Sequence, residues 1–138
     1  MKDIVNTKIK FREPYRPFAP SVLGDKANDF FELSEAETRL PARFMLYVVN
    51  VRKEKQKIVP AITHVDGTAR PQLVFPEESP RYYKLIKAFY EKTGVPLILN
   101  TSFNLKGEPI VNTPEDAYST FMRSGIDILV LGNYLIFK

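Results

Sequence analysis

Val95-Pro96-Leu97-Ile98-Leu99 runs straight into Asn100-Thr101-Ser102-Phe103-Asn104. A short, wholly apolar run predicts a strand buried on both faces. Pro96 belongs at its very start, because proline cannot donate to a ladder. Upstream, Ser79 as cap and Pro80 at the first helical position open a helix. Tyr82, Leu85, Ile86 and Phe89 then follow a 3.6-residue period, and Gly94 closes the helix just past its end. Downstream, Thr113 and Pro114 open a second helix, with Glu115 and Asp116 complementing its dipole. Ala117, Phe121 and Tyr118 are expected to face inward, and Gly125 to end it. Asp127-Ile128-Leu129-Val130-Leu131, Gly132-Asn133 and Tyr134-Leu135-Ile136-Phe137 read as a hairpin. Leu97, Ile98, Leu99, Leu129, Val130 and Leu131 are the expected central core. Strands interleaved with helices, and an antiparallel end, predict an α/β (α+β) fold on an open mixed sheet.

The first half is less regular. Residues 1–20 read as extended and irregular, punctuated by Pro14, Pro17 and Pro20. A short helix is expected over 25–32, with Ala27, Phe30 and Phe31 on one face. The β-branched and aromatic stretch 44–51 predicts a strand, and the charged stretch 52–57 an exposed loop. Residues 58–63 read as extended, Asp66-Gly67 as a turn, and Leu73-Val74-Phe75 as a short strand.

At 138 residues, 44% hydrophobic and 26% charged, the chain suits one globular domain spanning 1–138. The absence of cysteine excludes a disulfide scaffold, a thiolate zinc site and a cysteine nucleophile. It fits a reducing compartment, and a cytoplasmic location is expected. No apolar run reaches the length of a bilayer span, so no membrane partner is expected. The net charge of +4 is uneven. Within residues 1–16, five cations (Lys2, Lys8, Lys10, Arg12, Arg16) face two carboxylates (Asp3, Glu13). Such a segment points to an anionic partner such as phosphate, or to a solvated basic face.

Three segments carry chemistry-bearing side chains. In extended chain, Lys8, Lys10 and Arg12 would project to one side, three cations that an anion would hold together. The alternative is an exposed edge strand kept from aggregating by its charges. Thr63-His64-Val65-Asp66-Gly67-Thr68-Ala69-Arg70 holds the only histidine. His64 suits hydrogen-bond donation or general acid–base work, Arg70 a phosphate grip, and Asp66 the orientation of His64 or a Mg²⁺ ion held through water. The alternative is a self-satisfied turn. In the third segment, Ser102 and Asn104 would share a face at the carboxyl end of a strand, the usual ligand position in open α/β sheets. Their neutral donors suit phosphate oxygens or an amide. An ordinary Asn/Ser turn is the alternative. No Walker or Rossmann glycine motif is present.

Together, Lys8 through Pro20, Thr63 through Arg70, and Asn100-Thr101-Ser102-Phe103-Asn104 with Gly107-Glu108-Pro109-Ile110-Val111 resemble the C-terminal domain of the carbamoyltransferases. That family includes nodulation-factor and antibiotic O-carbamoyltransferases. The resemblance implies a YrdC-like domain, an open twisted mixed sheet with a concave basic face. Its K-x-R and S-x-N pairs match Lys10 with Arg12, and Ser102 with Asn104. It implies that carbamoyl phosphate is activated with ATP and Mg²⁺ to carbamoyl adenylate. It also implies an N-terminal Kae1-like domain, in the same or a companion chain, that passes the carbamoyl group to an acceptor hydroxyl. On this reading Lys10, Arg70 and His64 are catalytic, and Lys8, Lys10, Arg12, Arg70, Ser102 and Asn104 bind substrate and nucleotide. Two rival classes remain. A structural or interaction-only domain would leave the second and third segments without a task. A nucleic-acid-binding module is disfavoured, because the positive excess lies in one short segment and most Tyr and Phe fall at core-periodic positions.

Overall fold

The computed structural model describes residues 1–34 and 40–138. Its helices are α1 (Lys2–Ile4), α2 (Lys53–Gln56), α3 (Pro80–Thr93) and α4 (Pro114–Arg123). Its strands are β1 (Ala19–Leu23), β2 (Val49–Asn50), β3 (Thr68–Ala69), β4 (Gln72–Val74), β5 (Leu97–Asn100), β6 (Ile128–Leu131) and β7 (Tyr134–Phe137). Helix and strand are mixed and the sheets are small and open, an α/β arrangement. The chain forms two compact units. One is Pro17–Asn100, the other Met1–Arg16 with Thr101–Lys138.

In the unit 17–100 the sheet order is β4-β1-β5, with β4 parallel and β5 antiparallel to β1. The central strand is therefore β1, in a region expected to begin irregular. Pro20 hides it from a sequence reading. It lies opposite Leu99, whereas pairing with β4 starts only at Ser21. The proline ring thus sits where the strand has one neighbour and no second donor is required. The apolar run 97–99 is at the edge of this sheet. Leu97 is buried and Ile98 and Leu99 only half-buried, which corrects the expectation of a strand covered on both faces.

Helix α3 has the expected limits. Gly94 takes a left-handed φ of 73° and donates to the Tyr90 carbonyl at 2.8 Å. Ser79 makes no side-chain cap bond. Ile86 packs with Leu23 and Val74, flanked by Tyr82, Tyr83, Tyr90 and Ile98, whereas Leu85 and Phe89 are exposed. The stretch 44–51 is not one strand. Leu40–Phe44 is a 3-10 turn, and Met45 has φ 57°, a left-handed backbone that no strand contains. Within it Val49 and Asn50 form a two-residue ladder with Ala69 and Thr68, and Val51 makes an isolated bridge to Phe31. Residues Gly24–Asp29 form a 3-10 helix where a short helix over 25–32 was expected, and Ala27, Phe30 and Phe31 are buried. The charged stretch 52–57 contains the single turn α2.

In the other unit α1 continues into a π-helical turn, Val5–Ile9. Helix α4 carries a complete capping box. Asp116 N–H donates to Thr113 Oγ1, and Thr113 N–H to Asp116 Oδ2, both at 3.1 Å. Ala117, Thr120 and Phe121 are buried, while Tyr118 is exposed and does not face inward. The hairpin forms in the expected register, but it is not a core. Ile128 pairs with Phe137 and Val130 with Leu135, and all four are exposed. Leu129, on the opposite face, is buried. The alternation expected of a sheet wetted on one side thus holds in position but not in residue type. Just before β6, Gly125 N–H donates to the Lys8 carbonyl at 3.1 Å, and a Cβ at 125 would lie 2.7 Å from that oxygen. Among the described residues no helix is long and apolar enough to cross a membrane.

Candidate functional site

The N-terminal basic segment is helical, not extended, so side-chain alternation does not operate there. Lys10 ends the π turn, and Phe11 follows with φ 48°. That conformation is costly for a bulky residue. It reverses the chain, and Arg12 N–H comes back to the Asn6 carbonyl at 3.0 Å. Asn6 is completely buried and organises the loop that follows. Its amide nitrogen donates to the carbonyls of Pro14 and Arg16 at 3.2 and 2.9 Å. Its amide oxygen accepts from Arg12 Nε at 2.8 Å. Nothing in the sequence pattern singled out Asn6, because a lone asparagine in a helical turn carries no spacing signal.

Lys10 is 5% exposed. Its ammonium donates to the backbone oxygens of Ser102 and Asn104, the latter at 3.1 Å, and to Asn104 Oδ1 at 2.9 Å. Ser102 Oγ lies at 3.3 Å. The hydroxyl of Ser102 donates to Asn104 Oδ1 at 2.6 Å, and Asn104 Nδ2 donates to the Glu108 carbonyl at 2.8 Å. Lys10, Ser102 and Asn104, expected to meet ligand, therefore meet each other first. Four neutral oxygens surround one cation, and Lys10 holds the turn after residue 100 in shape. Burial lowers the Lys10 pKa, and the nearby Arg12 charge lowers it further. Arg12 is itself lowered, by burial and then by Arg16, with Glu13 opposing.

A cleft of about 210 Å³ opens here, lined by Lys10, Arg12, Glu13, Arg16, Ser102, Asn104, Leu105 and Lys106. Four cations face one carboxylate. Glu13 pairs with Arg16 at 3.1 Å. Its pKa is lowered by a backbone hydrogen bond, then by Arg16, with smaller help from Lys106 and Arg12. Thus Lys10, Arg12, Ser102 and Asn104 are brought together as their motifs suggested. Lys8 is exposed and does not line this cleft. Arg16, Lys106 and Glu13 are additions. Lys106 follows the S-x-N pair by two positions, and Arg16 was visible only as part of the local charge excess.

His64, Asp66 and Arg70 belong to the unit 17–100. The Asp66-Gly67 turn forms, with Gly67 at φ 83°. Asp66 Oδ1 accepts from the Thr68 amide at 3.0 Å and from the Thr68 hydroxyl at 2.7 Å. These bonds, before any nearby charge, hold the Asp66 carboxyl below its ordinary range. Thr68 Oγ1 has one proton and gives it to Asp66. His64 Nδ1, 2.9 Å from that oxygen, must then be the donor. In the neutral ring this assigns the proton to Nδ1 and leaves Nε2 as acceptor. Arg70 is exposed, between β3 and β4. Among the described residues no group of three or more His, Asp or Glu could hold a metal ion. With Oδ1 occupied twice, Oδ2 is the Asp66 oxygen left outside these two bonds.

The carbamoyltransferase C-terminus family model matches residues 1–138. The chain is 51% identical to nodulation protein NolNO of Sinorhizobium fredii over 137 residues, 99% of this chain and 20% of that protein. It is 49% identical to nodulation protein NolO of Bradyrhizobium diazoefficiens, over 99% of this chain and 25% of that protein. It is 35% identical to a 3'-hydroxymethylcephem-O-carbamoyltransferase of Amycolatopsis lactamdurans, over 91% of this chain and 23% of that protein. The chain thus spans a quarter or less of the length of these curated relatives.

Proposed function

Because the chain belongs to the carbamoyltransferase C-terminal family, we propose that it supplies the surface on which carbamoyl phosphate and ATP are bound and activated. The overall change takes carbamoyl phosphate, ATP and water to carbamoyl adenylate, pyrophosphate and phosphate. Transfer to an acceptor hydroxyl then falls to a Kae1-like partner domain. The observation that carries this reading is the cleft in which Lys10, Arg12, Arg16 and Lys106 face the single carboxylate of Glu13.

The chemistry follows from charge. Two phosphorylated anions must approach, and unit charges about 4 Å apart repel by roughly 4 kcal/mol at an intermediate effective dielectric. Fixed cations offset that repulsion and stabilise charge that develops on the leaving phosphates. Lys10 contributes its field while bracing the Ser102–Asn104 turn. Arg12 and Arg16 offer planar forks suited to phosphate oxygens. Arg70 is a further phosphate grip, and His64 Nε2 a proton acceptor. Magnesium arrives with the triphosphate, because such sites use one or two protein carboxylates at most beside phosphate oxygens. The cytoplasm is the proposed location, in keeping with a chain that has no cysteine.

The test is carbamoyl-phosphate-dependent pyrophosphate release by a full-length relative, with the positions matching Arg12 and Arg70 changed to Gln. A lost charge-assisted contact weakens binding by about 1.5–3 kcal/mol, or roughly 10- to 150-fold. Release at the unmodified rate with both changed would overturn the reading.

A further inference from the structure

Among the described residues, Glu13 is the one acidic side chain lining a cleft of four cations. Its carboxylate bonds Arg16 at 3.1 Å, with about half of each side chain exposed (43% for Glu13 and 55% for Arg16). An exposed ion pair of this kind contributes little to stability, and its partners exchange readily. Glu13 nonetheless keeps a depressed pKa, so near neutral pH the carboxylate is ionised among these cations. A carboxylate and a phosphate present the same face to a guanidinium, two oxygens spaced for a fork.

We infer that Glu13 is an internal counter-ion of this cleft, and that a phosphate dianion binds by taking its place against Arg16 beside Lys106. This rests on the proposed phosphate-binding reading and gives Glu13 a role within it. Without ligand, the carboxylate reduces the mutual repulsion of Arg12, Arg16 and Lys106. With ligand, it swings to solvent and the dianion brings one more negative charge to the same donors. The exchange sets affinity. It favours dianions over monoanions, since a monoanion gains nothing over the carboxylate it displaces. The dianion has two sources, the phosphate of carbamoyl phosphate or the polyphosphate of a nucleotide.

The test is calorimetric titration of the chain with carbamoyl phosphate and, separately, with inorganic pyrophosphate, at constant ionic strength near neutral pH. Glu13→Gln should tighten binding of one of these anions by roughly 5- to 10-fold, since it removes a competing like charge. The anion that tightens more identifies the source. Arg16→Gln and Lys106→Gln should each weaken the same anion by about tenfold. Combined with Arg16→Gln, Glu13→Gln should no longer tighten binding, because the competition is for Arg16. Thermal melts of each variant confirm folding, and Glu13→Ala serves as a second probe of the carboxylate. Unchanged or weaker binding of both anions by Glu13→Gln and Glu13→Ala, with the parent protein still binding, overturns this inference alone. Failure of parent and variants to bind either anion overturns the phosphate-binding reading as well.

Discussion

Two polar turns look alike in sequence and behave differently in the fold. In Thr63–Arg70 the side-chain hydrogen bonds are local, none reaching more than four residues. His64, Asp66 and Thr68 satisfy one another within five residues, on the surface. In Asn100–Asn104 the partner is distant in sequence. Ser102 and Asn104 surround Lys10, 92 and 94 positions away, and the ammonium is buried. Local satisfaction leaves side chains that organise only their own turn. Distant satisfaction makes one side chain both a structural tie and a source of charge. Asparagine and serine at a turn thus say little about function until their partner is known.

The contrast can be broken by measurement. Asn6→Ala removes three hydrogen bonds from a fully buried hub. At about 1 kcal/mol per bond it should cost about 2–3 kcal/mol in denaturant unfolding, and an unchanged midpoint would remove Asn6 as organiser. Lys10→Met should cost about 1–3 kcal/mol by stranding the Ser102 and Asn104 carbonyls. Lys10, 5% exposed, is thus not a solvent-lined cation that can be removed at little cost. A pH effect accompanies it. The Lys10 pKa is lowered, so between its folded value and 10.5 the unfolded chain binds more protons, and stability from this group rises with pH in that window. Lys10→Met should abolish that rise. Asp66→Ala should lower the melting temperature less than Lys10→Met does. Its contribution also rises with pH, but in an acidic window: it is present above 3.8 and lost as pH falls through a folded value below it. A larger loss for Asp66→Ala than for Lys10→Met would invert the comparison. Arg70→Ala, at an exposed position, should stay within about ±0.5 kcal/mol in stability, while anion binding weakens.

The sequence disclosed elements whose punctuation is local. Gly94, the Thr113 cap and Gly132-Asn133 mark their boundaries through nearest-neighbour chemistry, and all three hold in the structure. It misled where an element depends on what covers it. Apolar runs 97–99 and 128–131 are too similar in composition to reveal that one is a sheet edge and the other a hairpin with an exposed face. Pro20 argued against the strand that proved central. For the cleft, the K-x-R and S-x-N pairs were legible as residue types in a pattern. The bonding of Lys10 to Ser102 and Asn104 was not, since it joins residues 92 and 94 positions apart that no local propensity links. Arg16, Lys106 and Glu13 were legible only as charge.

The meeting of Gly125 with Lys8 has a mechanical consequence. The clearance there is smaller than one carbon atom, and a backbone carbonyl, not a yielding side-chain tip, sets it. Gly125 does not adopt a positive φ, so the constraint is one of fit and not of backbone conformation. The pair acts like a shim between two parts of a fixture. A single methyl group at 125 would push the Lys8 carbonyl outward, and the displacement would pass down a rigid turn to Lys10, two residues on. The alignment of the buried ammonium with its four oxygens is therefore gauged by an absent atom at a position that never touches them.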